Sequence, residues 1–205
     1  MHYQLGAIIL FVAVSSVTDV DARDYFPYKA GFCPRPTIKD GLDVKRFFKD
    51  RWYVAKSTGV YLFQLGGTCS ATMANVTEDG TEINLLHYQY EPLLKTYTKV
   101  RGTAQTKFTR YMGIYSPVKY DLFGFGYPQF EVPFVIVDTD YDNWAIMYMC
   151  KQYTTGFKTE LGWMMTRKRG DKSHLETMEK AQKLIGNEGF IDEVNTDCGA
   201  NEPSL

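Results

Sequence analysis

The sequence lacks the charge and the long hydrophobic runs that characterise several common classes of protein. Its 205 residues include 23 Lys and Arg against 24 Asp and Glu, a formal net charge of −1. No basic field indicates a nucleic-acid partner, and no polybasic segment indicates an anionic membrane surface. No apolar run reaches the roughly 20 residues of a membrane-spanning helix, so we expect no stable membrane insertion. The length favours one domain with a substantial core.

The sequence also lacks the short motifs of common enzymes and of structural zinc sites. It contains no G-x-S-x-G, H-E-x-x-H or P-loop sequence, and no Cys-x-x-Cys pair. Beyond the N-terminal segment only His87 and His174 remain as histidines. We therefore expect no catalytic residue, no metal site and no required cofactor.

The first 22 residues have the pattern of a signal peptide. The non-polar run Leu5 to Val14 has the length of an h-region and is too short to span a bilayer, and Val20-Asp21-Ala22 supplies a small-x-small cleavage site. The n-region is atypical because it holds His2 but no Lys or Arg. A signal anchor is the alternative, and the polar residues after the run disfavour it. The sequence predicts a secreted, extracellular protein with a single domain at residues 23–205.

The predicted secretion bears on the redox state of the four cysteines, which are Cys33, Cys69, Cys150 and Cys198. An even number in an oxidising compartment predicts two disulfides, and four cysteines allow three pairings that their spacing does not separate. Asn75-Val76-Thr77 is an N-glycosylation sequon beside the turn Glu78-Asp79-Gly80. A chance match is the alternative interpretation of this lone sequon.

Short segments rich in β-branched and aromatic residues recur from Trp52 to Arg167, with turn residues between them. We predict eight strands, at residues 52–58, 69–77, 82–90, 97–106, 118–125, 133–138, 143–150 and 160–168. Asp79-Gly80 predicts a hairpin turn between the second and third strands. Consecutive antiparallel strands of this number can close into a barrel, at about residues 51–168, that holds one small ligand.

The hydrophobic period changes to that of a helix after the last predicted strand. The apolar residues at helical spacing are Leu175, Met178, Ala181, Leu184 and Ile185. Ser173 and Glu176 have the spacing of a capping box, and Gly186 fits the C′ position. We predict a helix at about residues 174–185, packed on the outside of the barrel and followed by a polar tail that carries Cys198.

Three separated segments resemble the signature regions of the lipocalins. Trp52, in Lys49-Asp50-Arg51-Trp52-Tyr53, matches the first region, although Asp50 stands where the family usually has Gly. Thr139-Asp140-Tyr141 matches the second region and Arg167 the third. The resemblance covers about residues 31–200. It implies an all-β fold, an eight-stranded antiparallel up-and-down lipocalin barrel with one C-terminal α-helix packed outside.

The same resemblance implies structural roles for the signature residues. Arg167 is expected to lie across Trp52 at the closed end of the barrel, in a cation–π contact, with hydrogen bonds from its guanidinium to nearby carbonyls. Within the family, the chain is similar to the subgroup of apolipoprotein D, the insect bilin-binding proteins and the crustacean carotenoid-binding subunits. The segments that carry this similarity are Gly31-Phe32-Cys33-Pro34, Gly67-Thr68-Cys69 and Asn143 to Cys150. The similarity implies the disulfides Cys33–Cys150 and Cys69–Cys198.

The family register also implies which side chains line the ligand cavity. They are Ala71, Met73, His87, Tyr120, Leu122, Phe134, Ile136, Ala145, Met147, Leu161 and Trp163, with Met165 on the same face as the last two. On the third strand two registers remain open, with either Ile83, Leu85 and His87 inside or Asn84, Leu86 and Tyr88 inside. His87 and Tyr120 would either contact a polar group of the ligand or be ordinary strand residues, and histidine's usual burial favours the second interpretation for His87.

The resemblance implies a secreted carrier of a small hydrophobic ligand, with a pigment such as a bilin (biliverdin) or a carotenoid favoured. A fatty acid, sterol or retinoid, as for an apolipoprotein D type carrier, is the alternative. A lipid-isomerising enzyme on the same barrel would need a free cavity thiol, and two disulfides would leave none. The remaining hypothesis is a signalling or structural partner whose barrel is filled by its own side chains. A homo-oligomer and a cell-surface receptor are left open as partners.

Overall fold

The structure is a computed structural model that describes residues 28–60, 64–106, 118–121, 129–183, 185 and 189–205, with backbone alone at 118–121 and 129–132. The proposed signal peptide, Leu122, Leu184 and Gly186 lie outside these residues. The helices are α1 (Val44–Phe47) and α2 (Leu175–Gln182). The strands are β1 (Tyr28–Ala30), β2 (Asp50–Ser57), β3 (Thr68–Val76), β4 (Glu82–Glu91), β5 (Thr96–Gln105), β6 (Val118–Asp121), β7 (Gln129–Val132), β8 (Phe134–Thr139), β9 (Trp144–Gln152), β10 (Phe157–Thr166) and β11 (Ile191–Asp192).

The strands form one curled antiparallel sheet in the order β7-β6-β5-β4-β3-β2-β10-β9-β8. The strands at the two ends of this order, β7 and β8, are consecutive along the chain with only Pro133 between them. Proline lacks the N–H that a continuous ladder needs, and the pairing partner changes at this point. β7 pairs with β6, whereas β8 pairs with β9. The chain itself therefore joins the two ends of the sheet, and the predicted barrel is confirmed.

Within the described residues the observed strands agree closely with those predicted, because alternating apolar residues and turn residues mark them locally. Residues 122–125 of the fifth predicted strand lie outside the described ranges. Three short strands were not predicted. β1 pairs with β10 and β11 pairs with β2, outside the main order, and β7 precedes Pro133. The predicted Asp79-Gly80 turn is confirmed, since Gly80 has a φ of +73° and the Asp79 carboxylate accepts a hydrogen bond of 3.1 Å from the Thr81 amide.

Helix α2 packs on the outer face of the barrel, as predicted. Its buried Met178 and the following Ile185 lie in one cluster with side chains of β8, β9 and β10, namely Val137, Trp144, Ile146, Tyr148 and Met164. In the described ranges, neither helix has the length and apolar character required to cross a membrane.

The predicted capping box at the start of α2 is wrong. The N-cap residue is His174, and no side chain caps the helix. The Ser173 hydroxyl instead donates to the Asp171 carboxylate at 2.7 Å, and the Ser173 amide donates to the same oxygen at 2.9 Å. A carboxylate is a stronger acceptor than a neutral group. Ser173 therefore forms its hydrogen bonds in a local turn with Asp171 and does not cap the helix.

Candidate functional site

Arg167 and Trp52 seal one end of the barrel. The guanidinium carbon of Arg167 lies 3.6 Å from the centroid of the Trp52 ring, and the Trp52 indole N–H donates to the Phe47 carbonyl at 3.0 Å. The Arg167 guanidinium donates hydrogen bonds to the carbonyls of Arg46, Phe47, Lys49, Arg51 and Tyr141. Burial lowers the pKa of Arg167 to about 10, partly opposed by nearby Asp50, Asp142 and Asp140. Arg167 is still charged at neutral pH, so the charge-assisted bonds persist.

The Thr139-Asp140-Tyr141 segment forms the turn that presents one of these carbonyls. The Asp140 carboxylate accepts hydrogen bonds from the amides of Asp142, Asn143 and Trp144. Partial burial opposes its ionisation, but these hydrogen bonds prevail and lower the pKa of Asp140. Tyr141 adopts a φ of +71°, which turns its carbonyl toward Arg167 Nε at 3.0 Å. The signature residues therefore stabilise the closed end and lie apart from the open interior.

Asp50 occupies a backbone conformation that explains why the family usually has glycine there. Its φ is +63°, in the left-handed region that costs L-residues about 1–2 kcal/mol and glycine almost nothing. We expect Asp50→Gly to raise the free energy of unfolding by about 1 kcal/mol, measured by urea denaturation. Asp50→Ala removes the same carboxylate without relieving the backbone and should be destabilising. Equal effects of the two substitutions would show that the backbone conformation is not the cause.

The inner faces of β8, β9 and β10 carry the residues that the family register implies. Phe134, Ile136, Ala145, Leu161 and Met165 are buried in one interior cluster, and Met147 and Trp163 pack against it. Val135 and Val137 lie on the opposite face, in the cluster beneath α2. The apolar wall of the interior is thus formed by three consecutive strands.

The inward orientation expected for Ala71 and Met73 is wrong. Both residues lie in an outer cluster with Leu86 and Tyr88, while Ala74 belongs to the interior cluster. The cause is an irregularity in β3, where Thr68 pairs with Tyr90 but Ala71 pairs with Tyr88. β3 therefore has one extra residue between Thr68 and Ala71, in a segment where Cys69 has a φ of +57°. The extra residue reverses the faces of every later side chain in the strand.

The clusters that the β4 side chains join distinguish the two registers left open for this strand. Ile83 and Leu85 lie in the interior cluster, and Leu86 and Tyr88 lie in the outer one. Alternation along the strand then places His87 inside. For Tyr120 the described backbone shows pairing with Gly102, and its side chain, like Leu122, lies outside the described residues.

His87 links a strand to the loop that follows β2. Its Nδ1 lies 3.0 Å from the Thr72 hydroxyl, and its Nε2 lies 2.9 Å from Gln64 Nε2. With Gln64 as donor, Nε2 of His87 accepts and Nδ1 carries the proton that is donated to Thr72. Burial lowers the pKa of His87 to about 4, so the ring is neutral at physiological pH. Sequence reasoning missed Thr72 because of the irregularity in β3, and Gln64 because it lies in a loop without periodicity.

Four inward-facing side chains, in two cross-strand pairs, are less buried than the other residues of the interior. Thr72, His87, Met147 and Trp163 lie at mid-strand and are only half-buried, although the His87 imidazole is enclosed deeply enough for desolvation to lower its pKa. Inward residues nearer the closed end, such as Ala74, Leu85 and Ala145, are fully buried. An enclosed side chain that retains accessible surface faces space rather than other atoms. The closed end of the barrel is therefore packed, whereas these four side chains keep accessible surface. Phe134, Met149 and Leu161, which lie farther from the closed end, are buried as well.

Both disulfides implied by the resemblance are present. Cys33 bonds to Cys150 and Cys69 bonds to Cys198, so all four cysteines of the chain are paired. The first ties the N-terminal segment to β9, and the second ties the C-terminal tail to β3. No thiol is left free in the chain.

Comparison with known proteins agrees with this geometry. A family model described as Nitrophorin matches residues 33–204. Apolipoprotein D of Mus musculus is 25% identical over 181 residues, covering 87% of this chain and 88% of that protein. Insecticyanin of Manduca sexta superposes with a TM-score of 0.65 at 17% identity, covering 84% of this chain and 92% of that one.

A second solved structure, the tryptamine complex of the amine-binding protein of Rhodnius prolixus, superposes with a TM-score of 0.64. It is 19% identical to this chain and covers 78% of it and 85% of that chain. At these identities the two superpositions show the fold alone. The family-model match, which spans most of the sequence, shows more: the chain is a lipocalin and belongs to the family described as Nitrophorin.

Proposed function

We propose that this protein is an extracellular carrier that binds a small hydrophobic molecule inside its barrel. The observation that carries the proposal is the set of four half-buried inward residues, Thr72, His87, Met147 and Trp163, above a packed and sealed closed end. Pockets for small molecules are concave and mostly apolar, with a few placed polar groups. Here β8–β10 supply the apolar wall, and His87 with its two partners supplies the polar groups.

The extracellular location has separate support. Two disulfides joining residues far apart in sequence are typical of proteins from oxidising compartments. Asn75 is exposed on β3, so its sequon is accessible, and its glycosylation stays a prediction. The signal peptide at residues 1–22 is part of the same proposal.

The ligand class is proposed from the family resemblance and from the lining. A pigment such as biliverdin or a carotenoid comes first, and a fatty acid, sterol or retinoid second. The neutral His87 ring suits a carbonyl, lactam or hydroxyl group better than a strong acid. A thiol-dependent isomerase is disfavoured, because the disulfides occupy every cysteine of the chain.

Ligand binding should quench the fluorescence of one particular tryptophan. Trp163 is half-buried on the inner face of the barrel, whereas Trp52 lies beneath Arg167 and Trp144 lies on the outer face under α2. We expect saturable quenching by at least one member of a panel of biliverdin, a carotenoid, retinol, oleate and cholesterol. Trp163→Phe should remove most of that signal.

The matched control is Trp144→Phe, which removes one indole from the outer face and should leave the quenching intact. If no member of the panel binds saturably to the wild-type protein, the carrier function is refuted. If quenching survives in Trp163→Phe but disappears in Trp144→Phe, the ligand binds outside the barrel.

A further inference from the structure

A pocket lies on the outer side of the closed end of the barrel. Its volume is about 560 Å³, within the range of about 300–1,000 Å³ that is typical of small-molecule sites. Arg167 lines this outer pocket and also lies across the buried Trp52 ring, so its guanidinium stands between the pocket and the sealed interior. The outer pocket is therefore separate from the proposed ligand site inside the barrel.

Positive side chains outnumber carboxylates in the lining of the outer pocket. The lining contains four cations against two carboxylates, an excess of two positive charges. The cations are Arg46, Lys49, Arg51 and Arg167, and the carboxylates are Asp50 and Asp142. How far this excess acts on a ligand depends on which of these charges are already compensated.

Two of the cations have no salt-bridge partner. Arg167 donates five hydrogen bonds, as many as its guanidinium has N–H groups, and all of them go to uncharged backbone carbonyls. The nearby Asp50 stabilises its charge electrostatically but forms no salt bridge with it within the described residues. Lys49 is exposed and likewise forms no ion pair in the described part of the chain.

The other two cations are paired, but one of them shares its carboxylate. Arg46 forms a salt bridge with Asp142. Arg51 pairs with Glu202 at 2.6 Å, while the same carboxylate pairs with Arg169 at 2.8 Å. One carboxylate between two guanidiniums leaves these three side chains with a net positive charge. The outer pocket thus favours an anion over a neutral molecule or a cation.

Tyr53 and Met73 give the outer pocket an apolar side. Both are half-buried and pack against the outer cluster that contains Leu86 and Tyr88. Met73 faces outward because of the irregularity in β3, and it pairs with Arg51 in the ladder between β2 and β3. A planar apolar group can pack against these side chains while its charged substituent meets the cations.

We infer that the outer pocket binds a small aromatic phosphate monoester. A phosphate monoester carries about 1.5–2 negative charges at neutral pH, which matches the excess of two cations. Arg46 and Lys49 are exposed and can donate hydrogen bonds to it, whereas Arg167 has no N–H group left and contributes its charge alone. The aromatic ring packs against Tyr53 and Met73.

A series of ligands with one ring and decreasing charge tests the inference on the wild-type protein. Phenyl phosphate carries more negative charge than phenyl sulfate, and benzyl alcohol is neutral. By isothermal titration calorimetry we expect phenyl phosphate to bind about tenfold more tightly than phenyl sulfate, with benzyl alcohol weakest. Inorganic phosphate lacks the ring and should bind about tenfold more weakly than phenyl phosphate. An affinity that does not rise with negative charge, or that is the same without the ring, would overturn the inference.

Two substitutions in the lining should change the affinity in opposite directions. Lys49→Gln removes an exposed cation and should weaken phenyl phosphate binding about fivefold. Asp142→Asn removes a carboxylate and releases Arg46 from its salt bridge, so it should strengthen binding about threefold. Misfolding does not produce a gain in affinity, so the second variant separates the charge effect from structural damage.

The matched control is Lys45→Gln, an exposed residue of α1 that does not line the outer pocket. It should leave the affinity for phenyl phosphate unchanged. Equal effects of Lys45→Gln and Lys49→Gln, or weaker binding by folded Asp142→Asn, would contradict the site. The wild-type series decides the matter if a variant does not fold.

The outer pocket and the barrel interior should bind their ligands independently. Saturation of the interior with a hydrophobic ligand should leave the affinity for phenyl phosphate unchanged. Competition between the two ligands would place phenyl phosphate inside the barrel and reject the outer site. If phenyl phosphate binds as expected and no member of the hydrophobic panel binds, the carrier function is wrong and the outer site stands.

Discussion

Arg167→Met should lower the free energy of unfolding by about 4 kcal/mol. The substitution keeps much of the aliphatic volume but removes the cation above Trp52 and the hydrogen bonds that the guanidinium donates to five backbone carbonyls. Those carbonyls come from α1, the start of β2 and the turn after β8. Because one guanidinium holds three separate segments together, its loss leaves several partly buried acceptors unpaired at once. Urea denaturation followed by circular dichroism measures the change.

Lys168→Met is the matched control for this prediction. It removes a positive charge from the next residue, which is exposed, and should change the free energy of unfolding by less than about 0.5 kcal/mol. Arg167→Lys keeps the charge but not the planar fork, and we expect an intermediate loss. A loss below about 1 kcal/mol for Arg167→Met would show that water or local relaxation satisfies the carbonyls, and that the closed end does not depend on this residue.

Removal of the Cys69–Cys198 disulfide, by paired serine substitutions, should lower the free energy of unfolding by about 4–5 kcal/mol. The bond closes a loop with a sequence separation of 129 residues. In the chain-entropy model a loop of that length restricts the unfolded chain by about 5 kcal/mol. The tail keeps other contacts, since Glu202 pairs with Arg51 at 2.6 Å and with Arg169 at 2.8 Å. We therefore expect a weakened but folded protein.

The second disulfide provides the comparison. Cys33–Cys150 has a sequence separation of 117 residues, so the same model predicts a stabilisation within about 0.1 kcal/mol of the first. Denaturation of the two double-serine variants under identical conditions tests this equality. A difference of more than about 1 kcal/mol would mean that native contacts of the C-terminal tail or the N-terminal segment, rather than chain entropy, dominate.

The fold could be predicted from the sequence because its signals are local or belong to a family pattern. Alternation within each strand, the turn at Asp79-Gly80 and the helical period after Ser173 depend on neighbouring residues. The predicted helix cap failed for a local reason of the same kind, since Asp171 competes for Ser173. Trp52 and Arg167 are far apart in sequence, and their contact could be expected only because the family pattern links them.

The candidate site was predictable on one wall and not on the other. β8 and β9 carry their apolar residues in the expected phase, so Phe134, Ala145 and Met147 are where the register places them. On β3 a single extra residue near Cys69 reverses the faces, and no composition signal marks such an irregularity. Thr72 therefore replaces Ala71 and Met73 as the inward residue beside His87.

The sequence by itself determined the barrel, the outer helix and the residues that seal the closed end, because hydrophobic period and signature residues specify them. Only the tertiary structure decided the polar part of the interior. Gln64 reaches His87 from a loop, and the Gln89 amide donates to Glu91 while it lies against Gly67. These contacts depend on strand register and loop position, and both arise only when the whole sheet has curled.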